Sequence, residues 1–452
     1  MVNLVSSIVE ICKIILNKLI RIFPFIQKIA WKIFMLYLTS SFKQKIQNNI
    51  RKGDYYARAD PFKIVYVNTR DIVYHTLLEE GNEKSHFKDK VFNPWEDTGR
   101  IEGGDWDRLE RKFTELPIYK SLEEHFKKGI KFEDTKFFQS CVEEIKNGEA
   151  SCGYSSINEF RDKYSKVDLL YKNIKKFGYK SQREIVEKNI EDFFQKFHII
   201  SDEITVNIGR MGDLLFDNGC HRLSIAKILN IEKVPVRILV RHEKWQKFRD
   251  ELFKYIDEYL DGKSYYELPH PDLKDIPTCH NSKVIFDIIK NNLGFQKGSL
   301  LYIGPNLGGY FCHKFEDLGF DCYALEHDSN RIYFLKKFKK FNNRKFEIID
   351  KKILEYDIKV KKFDIVLALN VFHRFLQTEY TFNKFLQFLK DLDTKELFLQ
   401  CPTKEAPLIK NSYKQYGGDQ FAEFIIKNSN LNNYKFLGSL EKDGKSLYKL
   451  KK

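Results

Sequence analysis

The sequence predicts an α/β protein whose C-terminal part is a doubly wound parallel sheet. Three observations predict it. Leu300-Leu301-Tyr302-Ile303 is a short apolar strand that runs into the turn Gly304-Pro305-Asn306-Leu307-Gly308-Gly309 and then into a helix. Cys322-Tyr323-Ala324-Leu325-Glu326 follows as a second apolar run closed by an acid. Strands and helices then alternate as far as Gln400, the order that builds a parallel sheet with helical crossovers. Glycines let the backbone come close to a ligand, and an acid at the end of the second strand accepts hydrogen bonds from ribose hydroxyls. These features together point to an adenosine-containing small molecule.

Composition sets the bounds. The 452 residues suffice for two or three domains. A hydrophobic content of 42% and a charged content of 31% describe an ordinary folded chain. The net charge of +14 suits anionic partners, or lysines that only solvate the surface. The eight cysteines are scattered with no CxxC pair. Structural zinc and a disulfide framework are therefore not expected, no metal ligands are assigned, and a reducing, cytoplasmic setting is.

Residues 1–50 are read as a basic amphipathic helical segment. Within 1–38, Lys13, Lys18, Arg21, Lys28 and Lys32 interrupt the apolar run at helical spacing and form one polar stripe. The run is not a membrane span, which needs about 20 mostly apolar residues. The reading is a helix lying on a membrane surface, with Pro24 as a kink. Burial against the protein or a partner chain is the alternative.

Residues 51–261 form the middle domain. Strands are expected at 62–67, 203–208, 214–216 and 234–240, and helices at 119–128, 136–147, 156–176, 181–196 and 223–229. Gly103-Gly104-Asp105-Trp106-Asp107 suits either a metal- or substrate-facing loop or an ordinary Asp-capped turn. The run Asp217-Asn218-Gly219-Cys220-His221-Arg222, followed by a helix and Val234-Pro235-Val236, resembles the ParB/sulfiredoxin fold. That resemblance implies an α+β domain whose turn cradles a nucleotide phosphate, ATP or another, with Asn218, Gly219, Cys220, His221 and Arg222 at the turn. Backbone N–H groups at a helix N-terminus favour anions. Arg210 is a further phosphate contact. Gly-Cys-His-Arg also matches sulfiredoxin, where the cysteine is the catalytic thiol, and a helix N-terminus beside His221 would lower its pKa.

A helix is expected over 244–260, a turn-rich linker over 262–276, and the last domain over 277–452. There the helices are placed at 282–293, 311–318, 329–339 and 379–391, and the strands at 345–349, 363–369 and 396–400. This Rossmann-like part resembles the class I S-adenosylmethionine-dependent methyltransferases. Gly304, Asn306, Gly308 and Gly309 match the glycine motif, Glu326 the ribose-binding acid, and Phe363–His373 the fourth-strand motif whose end, at Asn370, lines the pocket. Asp350 stands where the adenine-capping acid belongs. Two departures are visible: Tyr302 replaces an acid in the first strand, and Lys351-Lys352 follow Asp350. They admit a weakened cofactor site.

The resemblance implies S-adenosylmethionine as cofactor, and His373 as the base for an acceptor hydroxyl or else a packed structural histidine. The whole reads as a methyltransferase with a nucleotide- or phosphate-binding domain, acting on a small-molecule, glycan or lipid-linked substrate at a membrane surface. The alternatives are a nucleotide-dependent phosphotransferase with a degenerate methyltransferase-like domain, and a ParB-like nucleic-acid-binding protein.

Overall fold

The computed structural model describes residues 63–76, 92, 97–182, 184–185, 203–439 and 445–452. The expected amphipathic segment at 1–50 and most of the helix expected at 181–196 lie outside them. The chain divides into two compact units between Arg249 and Asp250.

The first unit holds β1 (Val65–Asn68), β2 (Tyr74–His75), β3 (Ile101–Glu102), α1 (Pro117–Lys128), α2 (Lys136–Lys146), α3 (Ile157–Phe177), β4 (Ile204–Ile208), β5 (Leu214–Asn218), α4 (Cys220–Ile228) and β6 (Lys233–His242). Its sheet runs β1-β6-β4-β5-β2, with β3 also on β6. β4 and β6 are parallel, while β1 with β6 and β4 with β5 are antiparallel. The helices start and stop where local chemistry asks. Pro117 occupies the first turn of α1, and Gly129 ends it in the left-handed region. Thr135 caps α2 by accepting from the Phe138 N–H. His125 of α1 then ties to Asp168 of α3 at 2.8 Å.

α5 (Glu243–Tyr259) follows. The second unit continues with α6 (Ser282–Asn291), β7 (Ser299–Ile303), α7 (Tyr310–Asp317), β8 (Asp321–Glu326), α8 (Ser329–Phe341), β9 (Glu347–Asp350), β10 (Phe363–Leu369), α9 (Glu379–Asp391), β11 (Thr394–Cys401), α10 (Pro407–Lys410), α11 (Asp419–Lys427), β12 (Asn433–Ser439) and β13 (Ser446–Lys451). The sheet order is β9-β8-β7-β10-β11-β13-β12. Counted from β7 this is third, second, first, fourth, fifth, seventh, sixth. The first five are parallel, and β13 enters antiparallel between β11 and β12. The reversal of order beside β7 is the crevice where doubly wound sheets bind ligands.

Strand side chains alternate between two covered faces. Leu301, Ile303, Val366, Ala368, Leu397 and Leu399 pack with Phe385 of α9 and Phe421 of α11. Leu300, Tyr302, Ile365, Leu367 and Phe398 pack with Ile285 of α6, Phe311 of α7 and Leu335 of α8. Tyr302, which stands where the resemblance expects an acid, is fully buried against Phe311, with ring centroids 5.4 Å apart.

Candidate functional site

In the second unit the expected residues gather at the C-terminal ends of β7, β8 and β10. β7 breaks at Gly304, whose φ of +69° lies in the left-handed region that favours glycine, and its N–H donates to the Leu325 carbonyl at 3.0 Å. Asn306 also holds a positive φ, and its side chain accepts from the Leu307 N–H at 2.8 Å. Gly309 caps α7 in the left-handed region, and an added Cβ would stand 2.6 Å from Leu335. At Gly308 a Cβ would meet Pro269 at 2.8 Å and Leu268 at 3.0 Å. Close packing thus constrains Gly308 and Gly309, and a left-handed backbone constrains Gly304 and Gly309.

Glu326 ends β8 and is 2% exposed. Its Oε1 accepts from the backbone N–H groups of His327 (2.9 Å) and Asp328 (3.2 Å). Its Oε2 is buried and accepts no hydrogen bond. A buried carboxylate oxygen without a donor is unfavourable by about 1–3 kcal/mol or more unless a ligand or an ordered water supplies the donor. Asp350 lies beside Glu326 across the β8–β9 register and is exposed.

Asn370 follows β10 with φ +60° and is buried. Its Nδ2 donates to Gln400 Oε1 at 2.8 Å and faces the Tyr266 hydroxyl at 3.4 Å and His280 Nε2 at 3.5 Å. Asn370 Oδ1 and Gln400 Nε2 remain buried without partners. His373 lies in the short helix after β10, and its Nδ1 also lacks a partner. Burial, with Arg374 and Lys445 nearby, pushes its pKa down to about 4, so the imidazole is neutral at neutral pH.

The sequence reading missed the strap before α6. Residues 264–281, much of them read as linker, close on themselves. Ser264 N–H donates to the Pro277 carbonyl at 2.9 Å, and Cys279 N–H to the Ser264 carbonyl at 2.8 Å. The strap sets Leu268 and Pro269 on Gly308, and Tyr266 and His280 on Asn370. It also walls a cleft of about 590 Å³ among Glu267, Leu273, Ile276, His280 and Ser282. The only signal in sequence was an unusual density of Tyr, His and Pro in a supposed linker. Gln400 was visible only as the lone amide in an apolar strand.

In the first unit, Gly219 (φ +93°) turns β5 into α4, and an added Cβ would stand 3.1 Å from Ile204. The helix starts at Cys220, three residues before the expected start, so Cys220, His221 and Arg222 form its first turn. Two expectations are corrected. Cys220 is not an acidified thiol: burial outweighs the helix end and pushes it up to about 11. The same burial holds His221 at about 3, so it carries no charge to lend at neutral pH. Arg210 is not open to phosphate. Its guanidinium binds Asp107 Oδ1 at 2.6 Å, Asp105 Oδ1 at 2.7 Å and the Gly104 carbonyl at 2.8 Å. The Gly103–Asp107 loop and Arg210, read as separate candidates, are thus bonded to each other. Asn218 and Arg222 are half-buried.

No protein family and no curated protein matches the chain. Among solved structures it is similar to the bifunctional kinase-methyltransferase WbdD, at 16% identity and a TM-score of 0.36, over 44% of this chain and 46% of that one. It is also similar to TehB from Haemophilus influenzae (16%, TM-score 0.28, 37% and 61%) and to the N-methyltransferase NodS from Bradyrhizobium japonicum (12%, TM-score 0.30, 37% and 94%). The chain spans less than half the length of WbdD. Likenesses this distant do not define a function, and that weight falls on the sheet order and the site geometry. Among the described residues no helix is long and apolar enough to cross a membrane.

Proposed function

We propose that the second unit binds S-adenosylmethionine and transfers its methyl group to an acceptor. The observation that carries the reading is Glu326 Oε2, a buried acceptor without a donor at the end of β8, beside the glycine turn. A ribose hydroxyl would satisfy it. Gly304, Asn306 and Gly309 shape the turn that a ligand approaches, and Asn370 offers Oδ1 at the end of β10. Asp350 stands next to Glu326 for a further polar contact at the adenine side. When bound, the sulfonium supplies an electrophilic methyl group, and what the protein must then do is align the acceptor. His373 is neutral with an unpartnered Nδ1 and is the candidate to take a proton from an acceptor hydroxyl, although burial, which holds its pKa at about 4, makes it a weak base.

Calorimetric titration of S-adenosylmethionine into the full chain tests this. Binding in the micromolar range is expected, weakened about 10- to 100-fold in Glu326→Gln, which keeps the shape and removes the carboxylate. No measurable binding to the folded wild type, or equal binding by the variant, would overturn the reading.

A further inference from the structure

Two cysteines outside the site described above lie against each other in the first unit. Cys141 is on α2 and fully buried. Cys152 is partly exposed and sits in the turn Ser151–Tyr154 that leads toward α3. Their sulfurs are 3.6 Å apart. The turn is a closed one: Ser151 and Tyr154 exchange backbone hydrogen bonds of 2.9 Å in both directions. Within it Cys152 holds φ at +53°, a region that non-glycine residues seldom enter. The backbone thus aims one thiol at the other. Lys163 lies over the Tyr154 ring, 4.9 Å from its centroid, and adds positive charge. The Cys152 hydrogen bond pulls the Cys141 thiol below its usual value against the opposing effect of burial, with Ser151 assisting.

We propose that Cys141 and Cys152 are a redox-active dithiol, a modification site that exchanges with disulfides of the glutathione class. The electrons balance in two displacements. The thiolate of one cysteine attacks a sulfur of the glutathione disulfide, a protein–glutathione bond forms, and one glutathione thiolate leaves and takes up a proton. The second cysteine loses its proton to solvent and attacks the protein sulfur of that mixed disulfide, and the second glutathione leaves. The protein pair is oxidised by two electrons, and one glutathione disulfide is reduced to two thiols. The sulfurs need to close from 3.6 Å to a bond of about 2 Å. Rotation about the side-chain bond of Cys152, on a turn, supplies that approach. The product would bolt α2 to the segment entering α3, beside Tyr164, whose ring lies 6.1 Å from that of His221.

The test equilibrates the full chain in glutathione buffers from fully reduced to fully oxidised, caps the remaining thiols, digests with trypsin and maps the linkages by mass spectrometry. The expected result is peptide 137–146 joined to peptide 147–161, with a loss of about 2 Da from the summed masses, reversed by dithiothreitol. Cys279, which is exposed, reports whether the oxidant reached the protein, because it should carry glutathione alone. In Cys141→Ser, Cys152, the partly exposed member of the pair, should retain a trapped glutathione. If Cys279 is modified while Cys141 and Cys152 are each capped separately in every buffer, the proposal fails. It fails equally if Cys141 links to Cys220. Should the variant not fold, the wild-type linkage map decides alone.

Discussion

Glu326 and His373 show how burial turns ordinary side chains into chemical statements. Each carries a polar atom without a partner, and each is more than nine-tenths buried. For histidine the consequence is measurable. Burial pushes His373 to about 4 and His313 to about 3, both below the unfolded value of about 6.5. Folded pKa values lie below unfolded ones, so the stability these groups contribute is complete above about pH 6.5 and is lost as pH falls toward 4. Urea unfolding should therefore show an earlier midpoint as pH falls from about 7.5 to 5, with the unfolding free energy lower by about 1–2 kcal/mol for each buried histidine. His313→Gln should flatten that drop. A pH-independent midpoint in the wild type would contradict the burial of both rings. At this scale the sequence showed which residue types stood at the strand ends. It did not show that Arg210 is spent on Asp105 and Asp107, because those carboxylates lie more than a hundred positions away.

Among the elements, the strap and the glycine turn form one mechanical pair. Gly308→Ala puts a methyl group 2.8 Å from Pro269 and 3.0 Å from Leu268. Either the strap shifts or the turn does, and the expected destabilisation is about 1–3 kcal/mol by denaturant unfolding. If the strap shifts, hydrogen exchange at 264–281 should also rise. Unchanged stability with unchanged exchange would mean that the strap is not seated there in solution. Strand 363–369 and a helix at about 379–391 were legible, the strand because its apolar run is unbroken after Asp364; the structure closes the helix start with a reciprocal cap between Thr378 and Thr381. β12 and β13 were not read. Asn433–Ser439 is largely exposed and shows no clean alternation, so it resembles a loop until its partner is known. The strap was unreadable for a related reason, since its hydrogen bonds join residues 264–265 to 277–280.

The second unit as a whole depends on a strand placed out of sequence order. β13 covers the edge of β11 with a ladder from Glu396↔Lys451 to Cys401↔Ser446, and among the described residues β12 touches the sheet only through β13. Ending the chain at Asn432 should uncover β11, whose Leu397, Phe398 and Leu399 are fully buried. The expected outcome is aggregation or high-molecular-mass species in size-exclusion chromatography. A monodisperse truncated protein would show that β11 tolerates an open edge.

That insertion also orders events in time. β7, β8, β9, β10 and β11 can add in sequence through βα crossovers, each finding a neighbour already made. β12 breaks the rule, because it is synthesised before β13, the strand it pairs with. While residues 402–445 emerge, β11 offers a bare flank, and β12 has nowhere to dock. Any other extended segment within reach can take the vacant berth first. For this chain the interval between making β11 and making β13 is the window in which a chaperone would do most good.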